Sequence, residues 1–104
     1  MDLDSDNPLA IEIRQEMAQA YFAACKKMVD SLEALKAFDA AVASSTPDNG
    51  QVTRRAELLE ETRERVFFVV IQREAMNFPC FEEFFKDYEI PDEVRTGLGQ
   101  RREK

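Results

Sequence analysis

A chain of 104 residues has room for one small domain. Hydrophobic residues at 44% and charged residues at 34% fit a soluble globular protein rather than a disordered or membrane-embedded one. With 21 acids against 14 bases the net charge is −7, a field that repels polyanions, so no nucleic-acid partner is expected.

Neither half of the chain is basic. Residues 1–50 hold nine acids and four bases, and residues 51–104 hold twelve and ten. Histidine is absent, which removes the commonest general base and the commonest metal ligand together. Only three glycines and four prolines occur, too few for the many turns of an all-β protein, and an all-α fold is expected.

Residues 1–7 read as an acidic, disordered leader with neither the basic start nor the apolar stretch of a signal peptide. The longest apolar run, Val66 to Ile71, is far short of the ~20 residues that span a bilayer. A cytoplasmic protein with no membrane contact is the expectation, and there Cys25 and Cys80 stay reduced and inert. They lack the CxxC spacing of a redox or zinc motif.

Asn7-Pro8 supplies a helix start, Asn as cap and Pro at the first helical position. From there to Ser44 no Gly or Pro intervenes, and a helix over 8–44 is predicted. Its apolar stripe runs from Ile13 and Met17 through Tyr21, Met28 and Leu35 to Val42 at steps of three and four. Phe22 and Val29 lie beside that stripe. The Ser, Thr, Pro, Asp, Asn and Gly of residues 45–50 mark a loop short enough to join antiparallel neighbours.

A second helix is predicted over 51–77, with Val52, Ala56, Leu59, Val66, Val70 and, less centrally, Val69 inward and Glu57, Glu60, Glu61 and Glu64 outward. In its second half Phe68, Ile71 and Ala75 fall on the side the glutamates occupy earlier, so a cover on both sides is expected there. The natural cover is the aromatic C-terminal segment. Phe81, Phe84, Phe85 and Tyr88 make one face of a short helix over 79–88, and Val94 and Leu98 belong to another over 91–97. Residues 100–104 form a basic tail, and residues 8–99 make a single helical domain.

Two inward arginines, Arg63 and Arg73, need partners, because a buried charge without one is costly. Glu16, Asp39 or chain-end carbonyls are the candidates. No Gly-rich phosphate loop, His-containing metal set or nucleophile–base pair is present, so no cofactor, no metal and no enzymatic activity are expected.

The string Val69-Val70-Ile71-Gln72-Arg73-Glu74-Ala75, followed by Tyr88, Ile90-Pro91, Glu93-Val94-Arg95 and Leu98-Gly99, resembles a family of small uncharacterised bacterial helical proteins. The resemblance spans about the last third of the chain and implies no activity, cofactor or site.

Taken together, the residues predict a long antiparallel helical hairpin with short C-terminal helices, pairing into a dimer that resembles a four-helix bundle. The leading function is a protein-interaction or adaptor module. Its candidate dimer or partner surface is Phe22, Val29, Phe68 and Ile71. The alternative is a small-molecule sensor or carrier with an apolar pocket of Phe68, Ile71, Phe81, Phe85 and Tyr88 under the C-terminal flap.

Overall fold

A computed structural model describes residues 8–77 and 81–98, and every element among them is helical. The order is α1 (Pro8–Val42), α2 (Asn49–Ala75), α3 (Phe81–Asp87) and α4 (Asp92–Thr96). The acidic leader and the basic tail expected from the sequence lie outside the described residues, as do Cys80 and the side chain of Phe81.

α2 begins two residues earlier than its spacing suggests, because Asp48 forms a reciprocal cap. Gln51 donates its backbone N–H to Asp48 Oδ1 at 2.8 Å, and the Asp48 N–H donates to Gln51 Oε1 at 2.9 Å. Gly50, expected in the loop, is therefore already helical. Asn77 (φ 60°) follows α2 and Glu89 (φ 53°) follows α3, and each turns the chain through the left-handed region without glycine.

The register of the hairpin is fixed by four contacts along its length. Arg55 bonds Asp39, Thr62 Oγ1 donates to the Ser31 carbonyl, Arg65 reaches the Lys27 carbonyl, and Arg73 bonds Tyr21. In this register α2 ends opposite residues 18–19. The first ten or so residues of α1 run on past it for ~15 Å at about 1.5 Å per residue. Met17, expected in the stripe, is consequently 42% exposed, and Ala20 is exposed as well.

The buried line of α2 is also rotated from the one expected. Leu58, Thr62, Val66 and Val69 face α1, while Val52 and Ala56 are exposed and Leu59 and Val70 half-buried. A polar residue at the centre of the contact explains the difference. Thr62 is fully buried with its hydroxyl bonded to the Leu58 carbonyl at 2.7 Å, and Ser31 is buried opposite it. Neither counts as apolar in a periodicity argument, yet their small size suits a close helix approach.

Among the described residues of the C-terminal segment, none covers Phe68 and Ile71 as the sequence led us to expect, and these two stay 54% and 40% exposed. Phe84, Ile90 and Val94 join one cluster with Tyr21, Cys25, Met28, Val66 and Val69. The segment thus seats beside the α1–α2 contact, where it buries apolar surface against both helices rather than against one. Gly97 packs on the Arg63 guanidinium so closely that a Cβ there would collide with it, which is a requirement for space and not for φ.

Candidate functional site

Two arrangements hold the C-terminal segment in its seat. Arg55, absent from the sequence-derived candidates, bridges three elements. Its Nε and Nη2 donate to Asp39 of α1 at 2.7 and 3.0 Å, and its Nη1 and Nη2 to Glu93 of α4 at 2.8 Å each. These bonds hold the Asp39 and Glu93 carboxyls below the usual carboxylate range and raise the guanidinium further above its own. Arg63 donates Nη2 to the Glu93 carbonyl at 2.9 Å. Arg95 pairs with Glu82 and stacks 4.5 Å from the centre of the Phe85 ring.

The second arrangement is a polar cluster inside apolar walls. Arg73 Nη1 donates to Tyr21 Oη at 2.8 Å while its guanidinium lies 4.8 Å over the Phe84 ring. The buried Cys25 thiol sits against the Tyr21 and Tyr88 phenols. Burial pushes both phenols up, with Cys25 adding to the shift, while the Arg73 bond opposes it at Tyr21. A nucleophilic thiol needs a base. The described groups against Cys25 are the Tyr21 and Tyr88 phenols, which burial keeps protonated and which are no base at neutral pH.

Arg63 and Arg73 therefore both turn inward and both find partners, Arg63 at the Glu93 carbonyl and Arg73 at the Tyr21 hydroxyl. Asp39 goes to Arg55 instead. Signals for Arg55 existed in its spacing of seven and eight residues from Thr62 and Arg63 on the same helix. Its partners, however, come from 16 and 38 residues away in the chain.

Four of the five residues of the expected pocket have described side chains, and these four do not converge. Phe68 is 54% and Ile71 40% exposed, on the outward face of α2, whereas Phe85 and Tyr88 pack on the side where α4 seats. An open groove of about 570 Å³ does exist, between α1 and the α3–α4 turn. Val29, Leu32, Tyr88 and Pro91 contribute its apolar surface, and Glu33, Asp87 and Glu89 its acidic edge.

The candidate interaction residues also divide. Phe22, 68% exposed, and half-buried Val29 lie on the side of α1 next to the C-terminal segment, ~120° round the helix from its core-facing line. Phe68 and Ile71 stand on a different face, directed away from α1. The two pairs share one end of the hairpin but not one surface. Among the described residues, no group of three or more His, Cys, Asp or Glu side chains is placed to hold a metal ion. No described helix is long and apolar enough to cross a membrane.

These features define an all-α hairpin with a C-terminal segment latched along its groove. No family model, no curated protein and no solved structure matches the chain.

Proposed function

We propose that this protein is a non-enzymatic interaction or adaptor module that docks other helices at the open end of its hairpin. One observation carries the reading. Of the large apolar side chains left exposed among the described residues, Leu9, Ile11, Met17, Phe22, Phe68 and Ile71 all belong to the end remote from the α1–α2 loop. Only Val52 lies near the loop. Single exposed apolar residues are ordinary, but their concentration at one end marks an interaction surface.

The carrier alternative lacks comparable support, since Phe68 and Ile71 stand on a different face from Phe85 and Tyr88. The outward Phe68–Ile71 face is the one a protein partner would take, as an apolar helix laid along α2. Phe68→Glu with Ile71→Glu tests this. Tagged wild-type protein should retain a stoichiometric partner from the source cells, and the double variant should lose it while melting at the same temperature. Equal retention by both proteins, or no stoichiometric partner for either, would contradict the reading.

A further inference from the structure

We propose that a second copy of this chain lies antiparallel along α1, with Phe22 of each copy seated over Ala18 of the other. The inference rests on the interaction-module reading and names the occupant of the α1 part of that surface.

The observation behind it is a line of residues at alternating steps of four and three: Ile11, Gln15, Ala18, Phe22, Cys25 and Val29. This is the 3.5-residue repeat that keeps one seam facing a partner helix. The structure fills the seam over only part of its length. Cys25 is buried beneath the C-terminal segment and Val29 is half-buried, but Phe22, Ala18, Gln15 and Ile11 are exposed. The open stretch thus continues an interface the fold already uses.

A twofold axis near residue 20 brings this seam onto itself, as an isologous contact requires. Phe22 then meets the small Ala18 of the second copy, and Ile11 meets the open half of Val29. The start of the second copy's α1 points toward the groove beside Leu32 and Tyr88, which lies in line with the seam. Gln15 is the one polar member, and a single polar seam position sets register at some cost in stability.

Charge selects the antiparallel direction. Glu12 and Lys26, both exposed, flank the seam on the same side and at opposite ends of its open stretch. Antiparallel pairing places Glu12 beside Lys26 of the second copy, and the twofold repeats the contact. Parallel pairing would turn this flank of one copy toward the opposite flank of the other, so Glu12 and Lys26 would not meet. Lys26 already pairs with Asp30 one turn on, at 3.3 Å, which leaves its ammonium on this flank.

Sedimentation of the full-length chain with Glu12→Lys, Lys26→Glu and both together tests the proposal. The wild type should dimerise, each single variant should weaken the dimer about tenfold, and the double variant should recover to within about threefold. Circular dichroism melts confirm that these surface changes leave the fold intact. A wild type that stays monomeric at every concentration, or a dimer indifferent to the swaps, overturns the pairing. Loss of partner capture by the Phe68→Glu, Ile71→Glu protein would still stand in that event, which separates failure here from failure of the module reading.

Discussion

Arg55 shows how much a single side chain can organise in a fold this small. It reaches the last turns of α1 from the first turns of α2 and extends on to α4, with four donated bonds to two carboxylates. All three side chains are partly exposed, so each pair is worth at most ~1 kcal/mol, and Arg55→Met should cost about 1–2 kcal/mol in total. Asp39 and Glu93 both have lowered folded-state values. Their contribution is therefore complete above the ordinary carboxylate range, near pH ~4, and is lost as pH falls through the lowered values. Denaturant unfolding of the wild type and the Arg55→Met variant at neutral and acidic pH should show the difference between them shrink in acid. A difference that is constant with pH would mean that Arg55 acts through its methylenes alone.

At the scale of elements, what the sequence revealed and what it hid follow from one cause. Both long helices and the capping region between them are legible, because propensity, capping residues and apolar spacing act locally. The need for a second cover on α2 is legible too. The face to be covered is not, since Leu58–Thr62–Val66–Val69 passes through a threonine that periodicity scores as polar. Phe68 and Ile71 stay outward on the side of the glutamates, and the shifted line brings Arg63 under Gly97. The latch at Arg55 was hidden for another reason, as its partners are distant in the chain and only the fold unites them. The seat of the C-terminal segment has a direct consequence. Phe84, Ile90 and Val94 are buried, and each is worth about 1.5–3 kcal/mol. A chain ending at Asn77 forfeits these and uncovers Cys25 and Val66, and a small domain has only ~5–15 kcal/mol of stability in all. Its thermal melt should be broad and low, or replaced by aggregation. A 1–77 chain that melts as the full chain does would show the segment to be an accessory to the fold.

The whole molecule is elongated, 60 Å by 27 Å by 23 Å, because α1 at 35 residues outruns α2 at 27. Most helix stability in water comes from packing against a neighbour, and Ile11, Met17 and Phe22 of this overhang stay exposed. The length of α1 makes sense if a second copy supplies that neighbour along Ile11, Ala18 and Phe22. Such pairing would join two hairpins into a four-helix arrangement around the open ends and leave the Phe68–Ile71 faces outward for other partners.

Amide hydrogen exchange along α1, followed at low and high protein concentration, tests the covered overhang most directly. Residues 24–35, packed on α2, should be protected at both concentrations and serve as the internal standard. Residues 11–22 should exchange quickly in dilute protein and slow markedly as concentration rises. Exchange in that stretch that is fast and unchanged across the same range would contradict a second copy on the α1 seam.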